Sequence, residues 1–492
     1  MASERPASSS YYWLVGSIAL AVFMSKLDST AVNISLPTLA RHFDVPLSDV
    51  SWVMLSFLLL HTNTMLIFGK LADRIGLKRS FIIGYLLFVL SSLLCGLSSN
   101  LTILIASRCF QGAAAAMMLI AAFALIPSVL PDRTGTAYGV MASAAGLGGI
   151  VGAPMGGFIT GLLSWKWIFL INIPVGVAAV IVGQKILPDD RLTGAKRPAK
   201  EERFDLPGAV LSFFGLIFFI YAMTRARSLG WSSPSIVYSM PLGIALLAAF
   251  FVREKYCSSP LIDFRLFAVP GFTLGVMSAL LCFIVMSGVF LILPFYLELF
   301  KGLRAEQAGV VIMFYPVVYM IFSPLGGRLS DRVDPGIVCM ASMLSAAAAA
   351  SVFIFTMGSP GLFPVILFLV WFALSYCFFL SSNNNKIMNL APADRKGVAS
   401  GVLGTFVSLG TVFGVDLFTG IFSSAVPDPL ASGKIVSGSP EILLTGFERA
   451  FGAAVIACLL AAVFSFLSIR RWSGKEAVQG IEVEKSIQRR ST

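Results

Sequence analysis

Four charged side chains, Lys26, Asp28, Arg108 and Asp416, sit inside long apolar runs. A charge at the centre of a bilayer costs at least about 2.5–3.5 kcal/mol on insertion scales, so each needs a reason to be there. A carboxylate such as Asp28 can take up a proton in one conformation and release it in another. It can equally serve as partner to a cationic substrate, or as half of a fixed salt bridge. Arg108 keeps its guanidinium charge and can hold a carboxylate or a water chain. Lys26 and Asp28 are two residues apart, which on a helix points them about 200° apart, so they face different surroundings. Lys26 and Asp416 can form a structural pair. Alternatively Lys26 lines a cavity and admits anionic or zwitterionic compounds, while Asp416 is a second protonation site. Asn33, His61, Gln111, Asn383 and Asn384 are further polar groups at or near the same depth; with Lys26 they are candidates to line a substrate cavity.

The elements that hold these residues follow from composition. Of 492 residues, 57% are hydrophobic and 12% charged, about half the charge of an ordinary soluble domain. The apolar residues form runs long enough to span a membrane as helices, and they do not alternate as strands of a membrane barrel do. Fourteen helices are predicted, at roughly 12–36, 48–69, 80–98, 101–127, 136–160, 165–187, 206–224, 235–252, 269–297, 306–325, 336–357, 361–385, 398–424 and 447–469. The first is read as a retained helix rather than a signal peptide, because it contains Lys26 and Asp28 and no small-residue cleavage site follows.

With the N-terminus in the cytoplasm, about 26 Lys and Arg fall in cytoplasmic segments and about 8 outside, the bias that sets orientation. Both termini are therefore expected on the cytoplasmic side of the plasma (inner) membrane. The net charge of +11 is spread over these loops and does not form a nucleic-acid patch. Seven scattered cysteines and two histidines suggest no disulfide framework, metal site or haem. No catalytic constellation is evident, so an enzyme is not expected, nor any cofactor.

Two halves of the chain match at an offset near 260 residues. Gly69-Lys-Leu-Ala-Asp73-Arg74 matches Gly327-Arg-Leu-Ser-Asp331-Arg332, and Pro131-Asp132-Arg133-Thr-Gly135 matches Ala393-Asp394-Arg395-Lys-Gly397. Gly148 and Gly152 match Gly410 and Gly414. Parallel six-helix repeats imply two bundles that rock about a central site. The expected units are 1–188 for the first bundle, 189–205 for a cytoplasmic loop, and 206–253 for two inserted helices. A second loop at 254–268, the second bundle at 269–470 and a cytoplasmic tail at 471–492 complete the chain.

The loop Gly69-Lys-Leu-Ala-Asp73-Arg74-Ile-Gly76-Leu-Lys78-Arg79 is similar to the signature loop of the major facilitator superfamily. Leu27-Asp28-Ser-Thr-Ala-Val-Asn33-Ile-Ser-Leu-Pro37, Leu104-x-x-x-Arg108-x-x-Gln111-Gly112 and Trp165-Lys-Trp167-Ile-Phe-Leu-Ile-Asn172-Ile-Pro174 resemble motifs of its fourteen-span drug:proton antiporters. The resemblance implies an all-α fold of two six-helix bundles plus two inserted helices. It implies proton-coupled export of small organic or lipophilic, often cationic, compounds by alternating access, and assigns the coupling role to Arg108. Export or symport of an organic anion or metabolite is the alternative. The expected partners are a small-molecule substrate, protons and the lipid bilayer, and the protein can act as a monomer, though sequence does not fix its oligomeric state. One departure stands out. The antiporter pattern Gly-Pro-x-x-Gly-Gly here reads Gly152-Ala153-Pro154-Met155-Gly156-Gly157, which moves the helix kink made by proline.

For gating, Asp73 is expected to accept hydrogen bonds from the positive N-terminus of a neighbouring helix. Arg74, Lys78 and Arg79 are expected to pair across the half-interface. Gly148, Gly152, Gly156 and Gly157 have small-residue spacing suited to close backbone approach, and are expected to form the face on which the halves rock.

Overall fold

The computed structural model describes residues 8–45, 47–50, 52–187, 205–257, 260–425 and 440–469. Most of the expected loop 189–205 and the whole tail 471–492 lie outside the described residues. Fourteen helices are long and apolar enough to cross a membrane. They are α1 (Ser8–Phe43), α2 (Trp52–Ile75), α3 (Leu77–Gly96), α4 (Leu101–Val129) and α5 (Thr134–Leu162), followed by α6 (Lys166–Ile186). The next are α7 (Leu206–Leu229), α8 (Pro234–Tyr256) and α9 (Pro270–Phe295), then α10 (Gln307–Ser330). The last are α11 (Pro335–Thr356), α12 (Phe363–Leu390), α13 (Lys396–Ala425) and α14 (Pro440–Ile469). The number and order agree with the apolar runs. Several helices continue past the run that announces them; α12 extends through Asn383, Asn385 and Lys386 to Leu390. Backbone hydrogen bonding does not stop where side chains turn polar, so hydropathy alone ends a helix early.

Local chemistry sets several starts. The Asn100 side chain accepts from the Ile103 amide and caps α4. Asp205 accepts from Gly208 at α7 and Asp334 from Gly336 at α11, each satisfying an amide the helix leaves open. Beneath α8, the bidentate Arg253–Asp205 contact (2.7 Å at its closest) ties the two inserted helices together.

Packing repeats with the sequence. In the first bundle α1 packs on α5, α2 and α3 on α4, and α3 on α6. In the second, α9 packs on α13, α10 and α11 on α12, and α11 on α14. The halves meet through α2 against α13 and α5 against α10, as a two-fold relation between repeats requires. Helices α7 and α8 pack on each other, and α7 also touches α2 and α13. The inserted pair thus sits against one of the two seams between the bundles.

The glycines act differently from expectation. A Cβ on Gly148, Gly152 or Gly156 would meet the α1 backbone at Phe23, Leu27 and Ala31. That stripe fastens α5 to α1 inside the first bundle; it is not the face between halves. Gly410 and Gly414 do the same for α13 on α9, against the carbonyls of Leu280 and Ile284. The close approaches between halves come from Gly69 with Gly397 and Gly401, and from Gly135 with Gly327. Pro154 is exposed within a continuous α5.

Candidate functional site: a buried ion-pair cluster and a paired helix clasp

Five helices of the first bundle converge on Asp28. Its carboxylate accepts from Arg108 Nη1 at 2.6 Å, from Gln111 Nε2 at 3.2 Å and from Asn172 Nδ2 at 3.0 Å. Arg108 also donates to the Gln111 side-chain oxygen at 2.6 Å and, through Nε, to the Val53 carbonyl at 3.0 Å. Ser92 receives Gln111 Nε2 at 2.8 Å. The guanidinium lies 4.2 Å from the centre of the Phe57 ring and 5.8 Å from that of Phe169. Asp28, Arg108 and Gln111 have no exposed surface. A buried pair is held only where geometry and extra hydrogen bonds offset desolvation, and this one has both. One donor, Arg108 Nη2, is buried without a partner, which leaves the arginine one contact short of satisfaction.

The sequence placed Gln111 among cavity candidates; the structure puts it inside the Asp28 cluster. Asn172 bonds Asp28 directly, and Ser92 accepts from Gln111 and Asn172 beside it. The motif around Asn172 was visible, but nothing in its spacing tells that α6 carries it back to α1.

Lys26 points elsewhere. Its Cβ packs near Gly148 of α5, and its side chain is exposed although protein surrounds it, as a side chain projecting into an internal cavity is. Among the described residues it has no ion-pair partner, so the expected pair with Asp416 is not formed. Asp416 lies on α13 one turn beyond Phe413, whose ring meets Phe219 of α7, and Gly414 between them faces α9. Asn33 is exposed. His61 is half-buried and stacks on Phe57 at 5.8 Å, its Nε2 lacking a hydrogen-bond partner. Asn383 is buried and donates to the Gly275 carbonyl at 3.1 Å, inside the second bundle and not in a cavity. Asn384 is half-buried.

We call the end at which α1 begins and α14 finishes the terminal side. There the halves are clasped twice. Asp73 accepts from the amides of Gly397 at 2.6 Å and Val398 at 2.8 Å, at the start of α13. Asp331 accepts from the amides of Gly135 at 2.7 Å and Thr136 at 2.8 Å, at the start of α5. Each carboxylate thus sits on the positive end of a helix from the opposite half. Thr134 bonds to Asn385 across the same seam. Arg395 links the clasp to Asp263, 3.7 Å away in the segment after α8. Arg74 and Arg79 are exposed, and Lys78 donates to the Leu187 carbonyl of its own bundle at 2.6 Å. The role of Asp331 was legible in the repeated loop but was not drawn from it.

A family model described as Major Facilitator Superfamily matches residues 18–415. The chain belongs to the major facilitator superfamily. The riboflavin transporter RibZ of Clostridioides difficile (strain 630) is 30% identical over 462 residues, covering 92% of this chain and 96% of that protein. The puromycin resistance protein pur8 of Streptomyces alboniger is 31% identical over 473 residues, covering 93% and 91%. Among solved structures, the human organic anion transporter MFSD10 superposes with a TM-score of 0.64 at 15% identity, covering 92% of this chain and 99% of that one; it shares the fold. In this superfamily member the clasp is repeated between the two halves, whereas the buried cluster lies within the first bundle alone.

Proposed function

We propose that the protein is a secondary active exporter of small, lipophilic organic compounds, driven by inward proton flow. The observation that carries this reading is the Asp28–Arg108 cluster. A carboxylate buried at mid-helix, joined to a permanent cation and to amide side chains from two other helices, is a site whose protonation changes its contacts. Protonating Asp28 removes its ion pair with Arg108 and frees the arginine, which already has an unfilled donor. Five helices would feel the change, which is how one proton can alter the packing of a whole bundle. Drug-resistance relatives such as pur8 support export as the direction.

The clasps supply the second half of the mechanism. With both closed, the terminal side is sealed and the cavity faces the opposite side. We take the terminal side as cytoplasmic from the bias of Lys and Arg, so this is the outward-facing state. Proton binding at Asp28 then favours release of Asp73 and Asp331 from their helix ends, and substrate enters from the cytoplasm. The glycine contacts between α2 and α13, and between α5 and α10, are the surfaces that separate and close.

Cells producing the protein and loaded with a lipophilic dye test the reading. Efflux should depend on the proton gradient and stop when an ionophore collapses it. Efflux that persists without the gradient contradicts proton coupling.

A further inference from the structure

Lys26 is the charge that the coupling cluster leaves unused. It lies on α1, two residues from Asp28 and on another face. Gly148 of α5 places its Cβ at the middle of the bundle, and Gly146, two residues earlier, packs against Pro316 and Met320 of α10. Lys26 therefore lies at the depth where the two halves face each other. Its side chain is exposed there, and His61 of α2, half-buried on the Phe57 ring, keeps its Nε2 unpartnered.

Among the described residues no carboxylate forms an ion pair with it. Both oxygens of Asp28 are occupied by Arg108, Gln111 and Asn172. Asp416 flanks the face of α13 that meets α7. A cationic side chain facing a cavity with low-dielectric walls attracts anions and repels cations more strongly than the same charge in water. At the same depth in the second bundle, next to Met320, Tyr319 stacks on Tyr315 at 5.9 Å, and Tyr315 meets Phe290 edge-on at 4.6 Å. Tyr319 and Phe290 are half-buried and Tyr315 is buried, so the described groups at this depth include one ammonium, one imidazole and the open edge of an aromatic cluster.

We infer that Lys26 is the anion-binding group of the central cavity, and that the cargo is a planar aromatic compound bearing an acidic group. The carboxylate or acidic hydroxyl sits on Lys26 with His61 beside it, and the rings lie toward half-buried Tyr319, which stacks on Tyr315. This inference rests on the transport reading for its setting. It names the charge of the cargo, which that reading leaves open.

Fluorescein and rhodamine 123 share a xanthene body and carry opposite charge, so they isolate the effect. Binding is measured on the full chain in lipid nanodiscs for wild type, Lys26→Gln and Lys26→Arg. Wild type should bind fluorescein at least tenfold tighter than rhodamine 123. Lys26→Gln should reduce that preference at least tenfold, and Lys26→Arg should retain it. Equal or tighter binding of rhodamine 123 by wild type overturns the inference without recourse to any variant. So does an unchanged preference in Lys26→Gln. The same dyes in proteoliposomes separate this inference from the export reading. Selective fluorescein binding without gradient-driven movement upholds the Lys26 site and contradicts export.

Discussion

Arg108 and Gln111, one helical turn apart on α4, make each other useful. Gln111 accepts from the arginine with its oxygen and donates to Asp28 and Ser92 with its nitrogen, so the amide fixes where the guanidinium meets the carboxylate. Gln111→Leu keeps the bulk but removes these three contacts and the one from the Cys95 thiol. Unmet buried partners cost about 1–3 kcal/mol each. We expect this variant to unfold at lower temperature and to lose proton-driven transport, with substrate affinity changing less than transport rate. Unaltered transport would mean that Gln111 only fills space. The sequence made Asp28 and Arg108 legible, because charge in an apolar run is conspicuous. It did not reveal Asn172 or Ser92, ordinary polar residues whose meaning depends on which helices touch. Lys26 was equally conspicuous. Its exposure and its lack of an ion pair among the described residues needed three dimensions.

At the level of elements, the clasps are two copies of one device. Asp73 and Asp331 each cap a helix of the other half with a pair of amides. Hydrogen bonds to charged groups contribute about 1.5–3 kcal/mol. Asp73→Asn and Asp331→Asn should each shift the balance toward opening on the terminal side, by roughly tenfold or more, and the double change further. Spin labels at the exposed positions Arg74 and Arg332 would report this as a growing long-distance population. An unchanged distance distribution in the double variant would remove the clasps from gating. The repeated Gly-x-x-x-Asp-Arg pattern let the first clasp be expected from Asp73 alone. The stripe Gly148–Gly156 misled, because small residues permit close packing without telling which helix approaches.

The inserted pair has its own anchor. Burial works to raise Asp205, but its hydrogen bonds with Arg253 prevail and hold the carboxyl below its usual range. A carboxylate lowered in the folded state stabilises above its unfolded pKa of about 3.9, and this contribution fades as pH falls through the folded value. Asp205 also caps α7, and losing a cap costs about 0.5–2 kcal/mol. Asp205→Asn should therefore lower the melting temperature at neutral pH, with the gap from wild type narrowing below about pH 4. A gap that stays constant with pH would assign the effect to packing alone.

For the whole molecule, fourteen helices, their order and the internal repeat could be read from apolar runs and recurring loops. The pairing of α2 with α13 and of α5 with α10 could not, since no local pattern encodes which faces of two bundles meet. That pairing matters most to function, because it places the clasps on one side and the Asp28 cluster within a single bundle. In the proposed mechanism, proton uptake at the cluster acts on the clasps through the bodies of the helices, with α2 and α5 as the members that join the two regions.

The most direct test is proton release from proteoliposomes holding an acid interior, triggered by adding a transported dye outside. We expect the dye to release lumenal protons with wild-type protein. We expect no release with Asp28→Asn, while the variant still binds the dye. Proton release by Asp28→Asn at the wild-type rate would contradict coupling through Asp28.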